Sequence, residues 1–250
     1  MSSEAERRDA LKTVYEQAMG CVRCPQLAAT RHTVVFGAGN ADADLMFVGE
    51  APGANEDRSG LPFVGQAGTL LDRLLAEIGL VRSDVFVANV LKCRPPGNRD
   101  PLPVEIANCQ DYLLRQLELI RPRLVCTLGN FATKLLRGEP VGITRLHGRE
   151  EVRVIGDRAV RLYPLFHPAA ALYTPANVEV LRADFARIPA LLALDPPPAP
   201  GPAEPPEPAV PELVDAVAPT PTQPEPQPDP EPDPEPRSPS GVPAGQLELF

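Results

Sequence analysis

Four short apolar segments recur along the chain, at residues 45–48, 85–91, 124–128 and 162–166. Each is rich in Val, Leu and Phe, and none alternates strictly between apolar and polar residues. Such runs are typical of strands that are buried on both faces of a sheet. We therefore interpret all four as central strands.

Apolar residues at helical spacing lie between and after these segments, in three patterns. The first stops at Gly79, a residue type suited to the position after a helix C-terminus. The second begins at Pro103, which is tolerated in a first helical turn, and ends before Pro122. The third predicts one last helix. The three faces consist of Ala67, Leu70, Leu71, Leu74, Leu75 and Ile78, of Ile106, Cys109, Leu113, Leu117 and Ile120, and of Val178, Leu181, Phe185, Ile188 and Leu192.

Strands that alternate with helices predict an α/β domain with a central, mostly parallel, four-stranded sheet. In such a sheet, ligands bind at the carboxyl ends of the strands. The loops of interest are therefore those that follow Val48, Leu91, Leu128 and Phe166.

Proline and charge divide the chain into two unequal parts. The 250 residues carry a formal charge of −9 and contain 33 prolines, but residues 195–250 hold 20 of these prolines, 11 acidic residues and one basic residue, Arg237. The net negative charge therefore comes from the tail, so it does not argue against a nucleic-acid partner for residues 1–194. Because it has few large apolar side chains, segment 195–245 is predicted to be a disordered linker. Residues 1–194 are long enough for one domain with a substantial core.

The chain carries no pattern that suggests secretion or a membrane. Its first residues are charged, and the longest apolar run has seven residues, 188–194. We therefore expect neither a signal peptide nor a membrane-spanning helix, and we expect a cytoplasmic protein. In that reducing compartment, five cysteines indicate metal or thiol chemistry rather than disulfides.

The loop after the first strand is rigid, and its backbone can approach a ligand closely. It begins with Gly-Glu-Ala-Pro-Gly at 49–53, and further glycines and prolines follow up to Gly65. It lacks the Gly-Lys-Ser/Thr ending of a P-loop, which argues against binding of a nucleoside triphosphate.

Two polar residues lie at the ends of other strands. Asn89 interrupts an apolar segment, and a buried asparagine must satisfy both its carbonyl oxygen and its amide. It either caps a neighbouring loop, which is the commoner case for a lone asparagine, or reads a ligand. His167 follows the last strand and is fixed by Pro168, which suits catalysis, although a lone histidine is more often structural.

Four cysteines could share one site. Cys21 and Cys24 form a Cys-x2-Cys pair, and 15 residues separate Cys93 from Cys109. A zinc ribbon needs two close pairs, and only one exists. The four thiols could hold an iron–sulfur cluster, but spacing does not decide between the metals, and Cys109 also fits a helix core. The fifth, Cys126, is predicted to be an inert core residue of the third strand.

Four motifs occur in one order together with these cysteines: GEAPG at 49–53, LPFVG at 61–65, NVLKCRPPGNRDP at 89–101 and HPAA at 167–170. In combination they resemble the family 4 uracil-DNA glycosylases, over residues 11–194. A related branch that traps DNA covalently carries an extra basic, histidine-containing loop after the second-strand motif. Residues 95–101 contain no histidine, so the chain is similar to the hydrolytic branch.

This resemblance implies a uracil-DNA glycosylase-like, three-layer α/β fold and a hydrolase that releases uracil from DNA and leaves an abasic site. It implies a [4Fe-4S] cluster bound by Cys21, Cys24, Cys93 and Cys109. It implies a uracil pocket formed by Gly49, Glu50, Ala51, Phe63, Asn89 and His167, with Glu50 and His167 as the catalytic residues. We expect a monomeric base-excision repair enzyme at the nucleoid, with uracil-containing DNA as its partner and no membrane.

In the mechanism that the resemblance implies, Phe63 stacks on the flipped uracil, Asn89 reads O4 and N3–H, and His167 binds O2. Glu50 positions or deprotonates the attacking water, or instead shapes the pocket. Two other classes stay open: a non-catalytic or covalent uracil-DNA-binding protein, and a zinc-stabilised DNA-binding module.

The end of the tail carries a further pattern. Its apolar and polar anchors resemble the peptide by which bacterial repair and replication proteins bind the sliding clamp, and a frayed C-terminus is the alternative. We therefore expect segment 246–250 to bind the clamp. The anchors are Gln246, Leu247, Leu249 and Phe250.

Overall fold

A six-stranded, mostly parallel sheet lies at the centre of the structure, a computed structural model that describes residues 3–156, 158–172 and 174–198. The order of the strands across the sheet is β1-β3-β2-β4-β6-β5. The four central strands are parallel, and the two edge strands pair antiparallel to their neighbours. The strands are β1 (Ala38–Gly39), β2 (Leu45–Gly49), β3 (Phe86–Asn89), β4 (Leu124–Leu128), β5 (Glu151–Ile155) and β6 (Arg158–Leu165).

Helices connect the strands and cover the sheet. In the described part of the chain, they are α1 (Glu4–Met19), α2 (Pro25–Thr30), α3 (Ala54–Ser59), α4 (Gln66–Glu77), α5 (Pro103–Ile120), α6 (Asn130–Arg137), α7 (Ile143–Leu146), α8 (Pro168–Leu172), α9 (Pro175–Phe185) and α10 (Ile188–Ala193). Two short 3-10 turns, Arg82–Asp84 and Pro96–Asn98, flank β3.

Two apolar clusters, one on each face of the sheet, give the fold three layers. Met46 and Val48 of β2 belong to the cluster that contains the buried faces of α1 and α5. Leu45 and Phe47 belong to the cluster formed with α4, α9 and α10. Because successive side chains of a strand point to opposite faces, a strand between two helical layers is apolar at every position. The predicted three-layer α/β fold is confirmed.

The four predicted strands correspond to β2, β3, β4 and β6, and the sheet gains two edge strands that were not predicted. β1 has only two residues and no apolar run. In β5, Val152 and Val154 are exposed, while the alternating residues Glu151, Arg153 and Ile155 are partly buried. An edge strand with one solvated face lacks the continuous apolar pattern that identified the central strands.

The predicted ends of α4 and α5 are confirmed. α4 ends just before Gly79, whose φ of 76° is left-handed and whose N–H donates to the carbonyl of Ala76. α5 begins with Pro103 in its first turn and ends at Ile120, two residues before Pro122. Cys126 is fully buried in β4, and burial raises the pKa of its thiol well above the usual range, as expected of a core residue.

The prediction of one continuous last helix was wrong, because the chain forms α9 and α10 instead. α9 ends at Phe185, and α10 begins at Ile188. Pro189 has no N–H to donate to the Phe185 carbonyl, and its ring would clash with that carbonyl in a continuous helix. Leu181 and the residues on either side of the break are nevertheless buried, so both helices face the core.

Within the described residues, no helix combines the length and the apolarity needed to cross a bilayer. The predicted linker beyond residue 198 and the predicted clamp-binding peptide 246–250 lie outside the described residues.

Candidate active site

A pocket of about 210 Å³ opens at the carboxyl ends of β2, β3 and β6. Three loops supply most of its wall: those that follow the first, second and last of the predicted strands. It brings together five of the six residues predicted to bind uracil. The lining residues are Glu50, Ala51, Pro52, Gly53, Glu56, Phe63, Ala67, Asn89, Pro95, Asn98, Arg99, His167 and Ala169.

Gly49, the sixth predicted residue, lies beneath the pocket and allows two of its walls to meet. It is the last residue of β2 and is paired in register with Asn89 of β3. A Cβ atom at position 49 would lie 2.4 Å from Asn89 Oδ1 and 2.7 Å from Phe63 Cζ. Any side chain there would therefore displace the amide and the aromatic ring from the pocket.

Asn89 is the polar end of an otherwise apolar strand. Its side chain is almost completely buried, and within the described residues its Oδ1 has no hydrogen-bond partner. A buried acceptor without a partner costs about 1–3 kcal/mol, so native proteins rarely retain one without a use. No described N–H group donates to this oxygen, so it does not cap a loop, and Asn89 is one of the residues that line the pocket. This environment suits an acceptor for a ligand N–H group.

His167 follows β6 and reaches the pocket as a neutral ring. Burial lowers the pKa of its imidazole to about 4. Its Nδ1 lies 3.1 Å from the backbone nitrogen of Ala169 and accepts that N–H. The proton of the neutral ring is therefore on Nε2, which leaves one N–H donor for a ligand.

Phe63 forms the wall next to His167, and its backbone is strained. The two rings stack with centroids 5.6 Å apart and an angle of 25° between their planes. Phe63 has a φ of 54°, a left-handed conformation that is rare for a bulky residue and costs about 1–3 kcal/mol. Arg82 Nη2 donates to the Phe63 carbonyl at 2.8 Å and holds this conformation from a distant turn. A Cβ at Gly68 would lie 1.7 Å from the same carbonyl oxygen.

The carboxylate of Glu56 fixes the loop that contains Phe63, between residues 53 and 65. Oε1 accepts the backbone N–H groups of Val64 and Gly65, at 2.9 and 3.0 Å. Oε2 accepts the N–H of Gly53 at 3.1 Å, which closes the loop between 53 and 65. Although Glu56 lines the pocket, both of its oxygens are occupied by backbone donors. Its role is to position the loop.

Glu50 lines the same pocket in a different environment. Burial, together with the nearby Asp100 carboxylate, raises the pKa of Glu50 to about 7. Among the described residues, no donor makes a hydrogen bond to its carboxylate. A carboxyl group whose pKa lies close to neutral pH suits proton transfer, and such values cluster at functional sites.

The four predicted metal ligands lie near one another on separate elements. Cys21 follows α1, Cys24 precedes α2, Cys93 follows β3 and Cys109 lies on α5. Burial raises the pKa of the Cys93 thiol, Arg31 opposes this rise, and the neighbouring thiols of Cys21 and Cys24 add to it. Burial raises the pKa of Cys109 to about 11, and Cys93 and Cys24 contribute. Among the described residues, no group of three or more His, Cys, Asp or Glu side chains has the geometry to hold a metal ion.

Hydrogen-bond donors surround these thiols. Arg31 Nη1 donates to Cys93 Sγ at 3.0 Å, and its Nη2 donates to the Cys21 carbonyl at 2.8 Å. The backbone N–H of Lys92 donates to Cys109 Sγ at 3.2 Å. Such donors stabilise thiolates more than neutral thiols, because they interact best with negative charge.

Comparison with known proteins places this chain in a family. The sequence profile of the Uracil DNA glycosylase superfamily matches residues 36–188. The type-4 uracil-DNA glycosylase of Archaeoglobus fulgidus is 46% identical over 185 residues, which cover 72% of this chain and 92% of the relative. That of Thermotoga maritima is 42% identical, with 68% and 88% covered. The chain belongs to the type-4 uracil-DNA glycosylases. A type-5 relative from Pyrobaculum aerophilum is 32% identical, with 66% and 82% covered.

Some residues that line or support the pocket of this type-4 uracil-DNA glycosylase were not predicted as part of it. Glu56 follows Gly53 by three residues, the spacing of a residue that caps the start of α3, so a local signal existed. No local sequence pattern identifies Arg82, because its contact with Phe63 joins residues 19 positions apart. Arg99 lines the pocket but is paired with Glu105, at 2.6 and 2.9 Å, which ties its guanidinium to α5.

The raised pKa of Glu50 predicts how stability depends on pH. The folded protein keeps the Glu50 proton to a higher pH than the unfolded chain does, so ionisation of Glu50 destabilises the fold as pH rises from about 4.5 to about 7. Glu50→Gln removes this effect. We expect the Tm of the variant, relative to that of the wild type, to increase between pH 5 and pH 8 in differential scanning calorimetry. A Tm difference that is constant over this range would show that the folded Glu50 ionises like a solvated glutamate.

Proposed function

We propose that this protein hydrolyses the N-glycosidic bond of uracil in DNA and thereby releases uracil and leaves an abasic site for base-excision repair. The observation that carries the proposal is the buried Oδ1 of Asn89, which has no hydrogen-bond partner among the described residues and belongs to a pocket also lined by Phe63 and a neutral His167. Membership of the type-4 uracil-DNA glycosylases supports the same activity.

Base recognition follows from the hydrogen-bonding groups of the pocket. A uracil that leaves the base stack presents N3–H as a donor and O4 as an acceptor. The Asn89 amide complements this edge, because Oδ1 accepts from N3–H and Nδ2 donates to O4. Cytosine presents the reverse pattern and would leave buried groups unpaired, at a cost of about 1–3 kcal/mol each. The Phe63 ring provides a stacking surface for either base, so selectivity comes from Asn89.

His167 stabilises the leaving base. When the N1–C1′ bond breaks, negative charge develops on uracil and spreads to O2. The Nε2–H of a ring held by the Ala169 N–H can donate to that oxygen without reorienting. Because the donor is already aligned and buried, it stabilises the transition state more than a solvated donor would.

Glu50 is the residue that can act on water. Bond cleavage leaves a cationic sugar, and a carboxylate near C1′ would stabilise this charge and orient or deprotonate the attacking water. Glu56, the other glutamate of the pocket, is unsuited because three backbone N–H groups occupy its oxygens. The ionised form of Glu50 is required, so catalysis should increase as pH rises through about 7.

A uracil-release assay tests this function. We expect the wild type to release uracil from single- or double-stranded oligonucleotides, with a single-turnover rate that rises with pH through about 7. Glu50→Gln should slow the single-turnover step at least about 100-fold, within the usual range for a lost general base, and should abolish the inflection. Its affinity for uracil-containing DNA should change little. Matched hypoxanthine and thymine-mismatch oligonucleotides serve as substrate controls.

Each alternative gives a distinct result in this assay. Tight binding of uracil-containing DNA without base release would identify a non-catalytic binder. An adduct that survives denaturing electrophoresis would identify a covalent one. Equal single-turnover rates for the wild type and Glu50→Gln would remove Glu50 from the chemistry, while continued release would leave the activity itself intact.

We further propose that Cys21, Cys24, Cys93 and Cys109 hold a [4Fe-4S] cluster. Four thiols with mutual electrostatic influence, and with hydrogen-bond donors at Cys93 and Cys109, match the ligands that such clusters require. Thiolates around a four-iron cluster lie farther apart than those around one ion, since the whole cluster lies between them. When bound, the cluster would supply a cross-link between the α1–α2 junction, the end of β3 and α5.

Metal analysis of anaerobically purified protein tests the cluster. We expect about four iron atoms per chain and broad visible absorption, with both lost in Cys93→Ser together with a lower Tm. The control Cys126→Ala removes a thiol that lies in β4, so it should keep the iron content unchanged. Colourless protein with one zinc ion per chain would instead favour a zinc-stabilised module.

We also propose that segment 246–250 binds the bacterial sliding clamp. The support is its sequence: a glutamine for a polar rim, followed by Leu247, Leu249 and Phe250 as apolar anchors.

Removal of Gln246–Phe250 should abolish clamp binding in surface plasmon resonance, because it removes all of the anchors. Uracil release from short oligonucleotides should stay within about twofold of the wild type, since the pocket lies within the domain. Undiminished clamp affinity after truncation would overturn this proposal and leave the glycosylase activity unaffected.

A further inference from the structure

A lysine is buried between the proposed uracil pocket and the cysteine site. Lys92 is 1% exposed and lies three residues after Asn89. Its Nζ donates to the Asn89 backbone carbonyl at 2.9 Å and to Gln116 Oε1 at 2.6 Å. It also lies 5.7 Å from the centroid of the Phe36 ring, on which a cation is stabilised. Within the described residues, the ammonium group thus contacts a carbonyl, an amide oxygen and an aromatic ring, and the lysine is almost completely buried.

Burial of an ammonium group is costly, and hydrophobic residues of similar size often replace buried charges without loss of stability. Val90, Leu91 and Leu113 of the adjoining core are completely buried, and the Cys109 thiol is close enough to interact with the ammonium group. Packing alone therefore does not account for a lysine here. Its hydrogen bonds point to a role in the site.

These hydrogen bonds connect Asn89 to a rigid support. Gln116 lies on α5, and its Nε2 donates to the Phe36 carbonyl at 2.9 Å, so its own orientation is fixed from the other side. A continuous series of hydrogen bonds thus runs from the Phe36 carbonyl through Gln116 and Lys92 to the Asn89 carbonyl.

The orientation of the Asn89 carbonyl affects the direction of its side chain. A carbonyl held in one direction fixes the ψ angle of its residue, and ψ sets the backbone frame from which the Cα–Cβ bond projects. The Asn89–Val90 peptide group lies at the end of β3, and its N–H donates to the Gly49 carbonyl at 2.9 Å. The ammonium group restrains the carbonyl side of the same peptide group.

We propose that Lys92 is a positioning residue that holds the Asn89 peptide and thereby aims the Asn89 amide at the uracil edge. The inference rests on the proposed function, because it assigns Asn89 the reading of N3–H and O4. It predicts that loss of the Lys92 ammonium group lowers kcat/KM for uracil release only when the Asn89 side chain is present. If Lys92 instead served only to offset negative charge on the thiolates of Cys93 and Cys109, its effect would not depend on the Asn89 side chain.

A double-mutant cycle on the full chain separates these roles. Lys92→Met keeps the length and removes the ammonium group, and we expect kcat/KM for uracil-containing DNA to fall about tenfold or more, as for a lost hydrogen bond to a charged group. In the Asn89→Ala background the same change should have an effect of less than about twofold. The pH inflection that Glu50 produces should persist in Lys92→Met. The exposed Lys12→Met makes the same charge change and should leave kcat/KM within about twofold.

A second variant keeps the test decisive if Lys92→Met does not fold or loses its iron. Gln116→Met removes the support of the ammonium group, and we expect a smaller decrease of kcat/KM that again disappears in the Asn89→Ala background. Equal fold-losses with and without the Asn89 side chain, in whichever variant folds, would overturn the positioning role. If the wild type releases no uracil, the proposed function fails and this inference fails with it. If Asn89→Ala alone has no effect, the assignment of Asn89 is wrong.

Discussion

The pairing of Gly49 with Asn89, at the ends of two adjacent parallel strands, is the constraint on which the site depends. Beyond this pair, the N–H groups of Val90 and Leu91 donate to the carbonyls of Gly49 and Glu50, at 2.9 and 3.0 Å. The strand that ends in the amide is therefore locked to the strand that leads into the glutamate loop. Because residue 49 has no Cβ, the Asn89 amide and the Phe63 ring approach the same point, and a base-sized pocket results.

The two glutamates of the pocket show how the environment separates roles within one loop. Glu56 accepts three backbone N–H groups and fixes the loop that keeps Phe63 in a strained conformation. Glu50, six residues earlier, is half-buried beside Asp100 and retains its proton up to about neutral pH. The same chemical group is held in place where donors surround it, and has a raised pKa where burial and a like charge oppose its ionisation. The strained conformation of Phe63 is maintained because Glu56 and Arg82 bind the N–H and the carbonyl of the Phe63–Val64 peptide group. Gly68 leaves room for this carbonyl because it has no Cβ.

The site also depends on elements that are distant in sequence. Arg82 reaches Phe63 from the turn before β3, and Gln116 of α5 supports Lys92 behind Asn89. The segment that follows Asn89 carries Cys93, so the proposed cluster and the proposed base-reading residue belong to one continuous stretch of chain. Only three residues, 90–92, separate Asn89 from Cys93.

Much of this organisation was predictable from local pattern. Continuous apolar runs identified the four parallel strands, because a strand covered on both faces has no polar side. Glu50, Asn89 and His167 lie at or directly after the carboxyl ends of three of these strands. The motifs themselves were sufficient to identify the family. Edge strand β5 escaped prediction because its valines are exposed and alternate with partly buried residues. The helix break at Pro189 escaped prediction because the apolar face continues on both sides of it.

By itself, the sequence determined which residues could do the chemistry. Only the tertiary structure decided their states: that Asn89 Oδ1 has no partner among the described residues, that His167 is neutral with its proton on Nε2, and that the two glutamates differ. The physical reason is that protonation and hydrogen-bond satisfaction depend on burial and on neighbours, and those neighbours come from separate strands and loops that meet only in the folded chain.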